Sequence, residues 1–148
     1  MEACKLALMR WIPLLASVVV PCALADTISG TVVNVIDGDT LVVQDAAKKR
    51  YTVRLAEVDA PESGQALWLQ SSRSLASLCH RRSAQVEWTE RDASKRYVGY
   101  VTCAGKDASA EQLKRGMARV STQSTRPTSG LYELEGYARA RGIGLWAR

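Results

Sequence analysis

Short apolar runs alternate with polar connections between residues 26 and 103, and this pattern predicts β-strands. The runs TISGTVVNVI, TLVVQD and YTVRLAEV follow one another with only tight polar turns between them, which is typical of an antiparallel meander. AQVEWTE alternates apolar and polar residues, and RYVGYVTC is a further apolar run. We therefore predict five short strands in this part of the chain.

Three other segments have the spacing or the capping residues of helices. After the third strand, residues suited to a buried face recur at intervals of four and three, at Leu67, Ser71, Leu75 and Leu78. The sequence SAEQ has the form of a capping box with Ser109 as its cap, and predicts a second helix that ends at Gly116. LYELEGYARARG predicts a third helix that ends at Gly142. Five strands and three helices in this order predict an α+β fold, a closed five-stranded barrel of the oligonucleotide-binding (OB) type.

The first 25 residues have the features of a secretory signal peptide. Two basic residues precede the apolar run WIPLLASVVVPCALA, which ends in a small-x-small sequence before Asp26. A membrane span needs about 20 residues, so this run favours a cleaved leader over a retained anchor, which is the alternative. We therefore expect a signal peptide at 1–25, one domain at 26–148, and a periplasmic or extracellular protein without stable membrane association after cleavage.

The composition is that of one globular domain with a basic surface. The chain has 148 residues, of which 47% are hydrophobic and 24% charged, which excludes a disordered protein and leaves little room for two domains. The formal net charge of +5 favours an anionic partner, although charge alone does not distinguish nucleic acid from a membrane surface. Nothing in the sequence demands more than a monomer.

Two of the four cysteines, Cys79 and Cys103, follow the leader. In an oxidising compartment they are candidates for a single disulfide, and two buried free thiols are the alternative. Their spacing does not form a C-x-x-C metal-binding pattern.

The segment VIDGDTLVV places Asp37 and Asp39 on either side of a glycine between two apolar runs. The first interpretation is a hairpin turn, in which the glycine adopts a positive φ. The second is a site where carboxylates are held for a hard divalent cation. The segment VRLAEVDAPE then places Arg54, Asp59 and Glu62 around the end of the third strand. If that strand lies beside the first two, Asp39 and Asp59 converge.

A third segment, RDASKRYVGYV, has Arg91, Lys95 and Arg96 just before a strand. A run of this kind is usually a solvated loop. The alternative is a phosphate contact, because the guanidinium fork of arginine matches phosphate oxygens in two-point geometry.

Together the three segments, followed by LYELEGYARARGIGLW, resemble the staphylococcal nuclease (thermonuclease) family in motif order. The resemblance extends from about Thr27 to Trp146, nearly the whole chain after the leader. It implies a five-stranded barrel with three helices, and a calcium-dependent endonuclease that acts on DNA or RNA. It also implies cleavage of the bond to the 5′ oxygen, which leaves 3′-phosphate ends.

The resemblance assigns the metal site to the first two motifs. Asp39 and Asp59 match the carboxylates that bind Ca²⁺, and Ala60 matches the residue that contributes a backbone carbonyl. Asp37 matches a nearby carboxylate outside the inner coordination sphere.

The resemblance assigns the catalytic roles to three charged residues. Arg54 and Arg96 match the arginines that hold the scissile phosphate, and Glu62 matches the general base that activates or orients the attacking water. Lys95 stands where the family often has glycine, and is a candidate for an additional phosphate contact.

Several positions depart from the family pattern. Ala93 and Ser94 stand where the best-known member has a lysine and a tyrosine near the nucleotide, and Thr122 and Ser124 replace two tyrosines. Since stacking is worth about 1–3 kcal/mol per base, their absence is expected to weaken or redirect substrate binding without removing the chemistry. Two alternatives to an enzyme remain: a non-catalytic module that binds single-stranded nucleic acid, and a structural domain of the cell envelope. Neither explains why the acidic residues and both arginines are retained.

Overall fold

The computed structural model describes residues 26–123 and 129–148. The predicted signal peptide and Ser124 lie outside these residues. The leader, the domain boundary and the location of the protein therefore stay predictions. Within the described part, no helix has the length and apolar character needed to cross a membrane.

The described elements follow the predicted order with a few short additions. The strands are β1 (Asp26–Val35), β2 (Thr40–Gln44), β3 (Arg50–Leu55), β4 (Val58–Asp59), β5 (Ser83–Arg91), β6 (Tyr97–Cys103), β7 (Lys106–Asp107) and β8 (Arg119–Val120). The helices are α1 (Trp68–Cys79), α2 (Ala108–Lys114) and α3 (Ser129–Ala140), followed by a 3₁₀ turn at Gly144–Trp146.

Five strands close into a barrel. Strands β1, β2 and β3 form an antiparallel meander, and β1 also pairs with β5, which pairs with β6. A parallel pairing of β3 with β6, in which Val53 faces Tyr97, closes the ring. With the three helices, this confirms the predicted α+β fold and its OB-type barrel.

Inward-facing aliphatic side chains fill the barrel, as the alternation of apolar positions predicts. Val32, Leu41, Val53 and Val86 are fully buried there, and α1 adds Leu75 from outside. The connections around this core carry the charged side chains described below.

The third strand and two helix starts differ from the prediction. β3 ends at Leu55, and Val58–Asp59 pairs instead with Arg119–Val120 outside the barrel. α1 begins at Trp68, because Leu67 adopts a left-handed conformation with φ 65°. The cap of α2 is Asp107, whose carboxylate accepts a hydrogen bond from the Ala110 amide at 3.0 Å. The capping-box prediction was therefore wrong.

Ser109 lies inside α2 and is buried. Ser109 is the second residue of α2, whereas a capping side chain belongs to the residue just before the helix, which is Asp107 with its extended backbone.

Cys79 and Cys103 form a disulfide in the structure, with 5.2 Å between their Cα atoms. Cys79 ends α1 and Cys103 ends β6, and both are fully buried. The bond joins the helix directly to the barrel.

Two glycines fix the C-terminal segment against the end of α2. The Leu145 amide donates to the Gly116 carbonyl at 2.8 Å. A Cβ on Gly116 would lie 2.2 Å from the Ile143 carbonyl oxygen, and a Cβ on Gly144 would lie 2.3 Å from the Gly116 oxygen. Only glycine allows the two backbones to approach so closely.

Candidate active site

The turn between β1 and β2 is shaped by packing. The amides of Ile36 and Asp37 both donate to the Thr40 carbonyl, at 2.9 and 3.3 Å. Gly38 does not have a positive φ, so the predicted reason for a glycine here was wrong. A Cβ at this position would lie 1.8 Å from the Ser71 hydroxyl oxygen and 2.7 Å from the Ala60 Cβ. The glycine lets the Asp-Gly-Asp turn lie directly against α1.

Two helices hold this turn through buried polar groups. The Gln112 amide nitrogen donates to the carbonyls of Gly38, at 2.8 Å, and Ser71, at 3.1 Å. The Ser71 hydroxyl donates to the Met117 carbonyl at 2.6 Å. Gln112 and Ser71 are fully buried. These supports could not be predicted from the sequence, because Gln112 suits a capping box and Ser71 suits any buried helix face.

The Asp39 carboxylate is 8% exposed and is held from two sides. One oxygen accepts from the Ala60 amide at 2.9 Å and the other from the Thr40 hydroxyl at 2.8 Å, while the Asp39 amide donates to Asp37 at 3.1 Å. Burial raises the pKa of Asp39 to about 6, and the nearby Asp37 charge acts in the same direction. The hydrogen bond from Ala60 opposes this shift. Asp39 is therefore a desolvated carboxylate that a cation would stabilise.

Asp59 and Arg54 form an ion pair beside Ala60. The Asp59 side chain is 47% exposed and that of Arg54 is 21% exposed. Arg54 comes from β3 and faces Thr40 of β2 in the strand register. The structure thus brings Asp37, Asp39 and the segment carrying Asp59 to one edge of the barrel.

Arg96 reaches the same edge from the other side. Its amide and its Nε donate to the two carboxylate oxygens of Asp92, at 3.0 and 2.7 Å. Although burial opposes the effect, these hydrogen bonds lower the pKa of Asp92. The guanidinium Nη1 lies 3.5 Å from the Thr40 hydroxyl oxygen, and that hydroxyl donates to Asp39. Thr40 therefore links Arg96 to the buried carboxylate.

Lys95 lies in the turn between β5 and β6, directly before Arg96, but its backbone has a left-handed conformation. It has φ 63°, and its amide donates to the Asp92 carbonyl at 2.8 Å. Lys95, Ala93 and Ser94 are all exposed. This turn explains why glycine is favoured at position 95 in a hairpin of this shape.

Glu62 is exposed at the opening of a cavity of about 830 Å³. Its amide donates to the Gln65 side chain at 2.9 Å. The same cavity is lined by Asp59 and Ala60 and extends to Arg119 and the C-terminal turn. Glu62 therefore shares this cavity with Asp59 and Ala60, whereas Asp39 does not line it.

The oxygen atoms at this edge of the barrel are of the kind that a hard divalent cation binds. Asp39 and Asp59 offer carboxylate oxygens, and Ala60, which follows Asp59 in the chain, joins the two segments by donating its amide to Asp39. No group of three or more His, Cys, Asp or Glu side chains positioned for a metal occurs among the described residues. A cation here would take two carboxylates and complete its coordination with carbonyl and water oxygens, as Ca²⁺ does.

Three supporting residues near the site were not predicted as such: Thr40, Asp92 and Gln112. Thr40 and Asp92 lie within the quoted motifs. The role of Thr40 depends on its contact with Arg96, 56 residues away, and the role of Asp92 depends on the turn in which it bonds to Arg96. Thr122, at one of the positions where the family pattern has tyrosine, is exposed, and its small side chain cannot stack on a base.

Residues 52–148 match the protein family described as staphylococcal nuclease homologue. The chain is 37% identical over 130 residues to the micrococcal nuclease of Shigella flexneri, covering 80% of this chain and 73% of that one. It is 33% identical over 140 residues to an uncharacterized endonuclease of Escherichia coli, covering 93% and 90%. An uncharacterized endonuclease of Haemophilus influenzae is 35% identical over 116 residues, and this chain spans 65% of its length.

Proposed function

Because this chain belongs to the staphylococcal nuclease family, we propose that it is a calcium-dependent endonuclease that hydrolyses DNA, RNA or both. Water would attack the phosphodiester in line with the 5′ oxygen, leaving 3′-phosphate ends. The observation that carries this proposal is the chain of hydrogen bonds in which the Ala60 amide donates to Asp39, Thr40 donates to Asp39, and Arg96 reaches Thr40. It supports the proposal because carboxylate oxygens and a guanidinium then lie together at one edge of the barrel.

Asp39, Asp59 and the Ala60 carbonyl would hold Ca²⁺, with Asp37 supporting Asp39 through its backbone amide. When bound, Ca²⁺ supplies positive charge that stabilises the developing phosphoryl oxygens. The buried Asp39 carboxylate supports this assignment, because its raised pKa reflects a charge that lacks compensation.

Arg54 and Arg96 would bind the scissile phosphate. Each already forms a hydrogen-bonded pair with a carboxylate, Asp59 or Asp92, which fixes its position before substrate arrives. Preorganised donors of this kind stabilise charge in the transition state without reorganisation. Glu62, which lines a cavity together with Asp59 and Ala60, would remove a proton from the attacking water.

Export to the periplasm or the exterior is proposed from the N-terminal sequence. The Cys79–Cys103 disulfide supports it, because such bonds persist in oxidising compartments. The enzyme would act there as a monomer on an extracellular or periplasmic nucleic acid.

The direct test is cleavage of single-stranded DNA, duplex DNA and RNA with Ca²⁺, with Mg²⁺ and with a chelator. We expect Ca²⁺-dependent cleavage that Glu62→Gln lowers by about 10²-fold or more, since general bases contribute about 10²–10⁴-fold. Glu90→Gln, an equal charge change at an exposed position of β5, serves as the control. Equal cleavage by the wild type in chelator would refute the calcium dependence.

A non-catalytic binding module is the second candidate function. The basic composition supports it, because a formal net charge of +5 favours an anionic partner whether or not the protein cleaves that partner. A folded protein that binds oligonucleotides but cleaves none of the three substrates would establish this function instead.

Lys95 is expected to contribute a phosphate contact at a cost in backbone strain. Lys95→Gly should raise the free energy of unfolding by about 0.5–1 kcal/mol relative to Lys95→Ala, because only glycine adopts φ 63° without strain. Both variants lose the ammonium group, so both should cleave a few-fold more slowly at low salt. Chemical denaturation and cleavage rates at two salt concentrations measure the two effects separately. Unchanged rates in both variants would exclude the phosphate contact.

A further inference from the structure

We propose that Arg119 forms a subsite for a substrate phosphate that flanks the scissile one. This proposal rests on the proposed nuclease function. The cavity that opens at Asp59 and Glu62 continues past Arg119 to Gly144 and Leu145. A nucleic-acid strand that is cleaved beside Glu62 and extends into this cavity would lie against a lining that includes Arg119.

Arg119 has no acidic partner among the described residues and contacts an aromatic ring instead. It faces Asp59 in the pairing of β8 with β4, yet Asp59 is ion-paired with Arg54. Across residues 26–123 and 129–148, no carboxylate oxygen forms a salt bridge with Arg119. Its guanidinium lies 5.0 Å from the centre of the Trp146 ring. Stacking on an aromatic ring leaves the edge donors of a guanidinium available to an anion.

The wall behind this subsite is rigid. The Leu145 amide bonds to the Gly116 carbonyl, and the close approach of Gly116 to Gly144 excludes any other residue at these positions. Trp146 lies between Arg119 and Arg139, at 5.0 and 4.2 Å from the two guanidinium groups. Arg119 is therefore placed before substrate binds, which reduces the ordering cost of a phosphate contact.

The remaining lining suits a nucleotide. Pro61, Leu67 and Leu145 provide apolar surface beside the single arginine. A sugar or base can pack on such a surface while its phosphate contacts a cation, which is how polyanionic strands are usually held. A base could pack on this apolar lining, whereas the small, exposed side chain of Thr122 offers no such surface.

The test compares Arg119→Gln with Arg139→Gln in the full chain. Each change removes a guanidinium that contacts the Trp146 ring. Arg139, however, pairs with Glu135 and does not line the cavity. The substrates are a dinucleotide with one phosphodiester and two longer oligonucleotides, extended on its 5′ or its 3′ side. We expect the wild type to show a higher kcat/KM on one extended substrate. Arg119→Gln should lose roughly tenfold on that substrate alone.

Binding measurements separate this proposal from the nuclease proposal. Anisotropy of the same labelled oligonucleotides in chelator should show weaker binding by Arg119→Gln, with the slope of log K against log salt reduced by about 0.7. Arg119→Lys should recover part of the affinity, since lysine also binds phosphate as a point charge. If the wild type cleaves nothing but these binding differences appear, the subsite stands and the nuclease proposal fails.

Two results would overturn the subsite. One is an equal loss in Arg119→Gln on the dinucleotide and on both extended substrates. The other is an equal loss in Arg119→Gln and Arg139→Gln, which would mean that both arginines act only by packing on Trp146.

Discussion

Replacing Asp39 with asparagine is expected to stabilise the metal-free protein at pH 8 while it lowers Ca²⁺-dependent cleavage by about 10³-fold. The folded-state pKa of this carboxyl is about 6, above its ordinary value of 3.8. Its favourable contribution to stability is therefore fully present below pH 3.8 and is lost as the pH rises through 6. Above that pH the buried charge costs on the order of 3 kcal/mol. Asparagine removes the charge and keeps an oxygen that accepts a hydrogen bond.

The measurement is the free energy of unfolding at pH 4 and pH 8, in chelator and in Ca²⁺. We expect Asp39→Asn to gain stability over the wild type at pH 8 but not at pH 4. Ca²⁺ should stabilise the wild type and leave the variant unchanged, because ligands that bind only the folded state raise its stability. Asp26→Asn, at the exposed start of β1, is the matched control. Equal stabilisation of the variant by Ca²⁺ would rule out Asp39 as a ligand, whatever the effect on cleavage.

The barrel was predictable because each of its strands has a recognisable local sequence pattern. Apolar residues at alternate positions, such as Leu41 and Val43 in β2, indicate which face of the strand is buried, and polar turns indicate where each strand ends. The short pairing of Val58–Asp59 with Arg119–Val120 was not predictable, since two-residue strands have no periodicity. This pairing matters for the proposed subsite, because it brings Arg119 beside Asp59.

The candidate site was predictable where its residues share one segment, as Asp37 and Asp39 do. The groups that support them come from distant parts of the chain. Gln112 reaches Gly38 across 74 residues, and Thr40 meets Arg96 across 56. A buried glutamine and a threonine within a strand are ordinary by sequence, and only the packing of the helices against the barrel turns them into supports for carboxylates. For the same reason the glycine in the turn is required by contact with Ser71 and not by its own φ.

Arg96→Lys is expected to lower cleavage by about 10²–10³-fold, the cost of removing one preorganised donor from a developing oxyanion. Lysine keeps the charge but cannot donate to both Asp92 and the Thr40 hydroxyl, because one ammonium replaces a planar fork. Arg91→Lys is the matched control. It lies in the same hairpin, five residues away, and its guanidinium stacks 4.1 Å from the Tyr97 ring.

Single-turnover rates with saturating enzyme in excess over oligonucleotide, together with steady-state KM values, separate chemistry from binding for the two variants. A fall confined to the rate of the chemical step in Arg96→Lys, with near-normal rates in Arg91→Lys, means that the guanidinium acts on the transition state. A rise in KM with an unchanged rate would instead assign Arg96 to ground-state binding of the strand. Because Asp92 accepts the hydrogen bond from the Nε of Arg96, Asp92→Asn should reproduce part of the loss although the arginine is retained. That result would show that the position of the charge, and not only its presence, sets the rate.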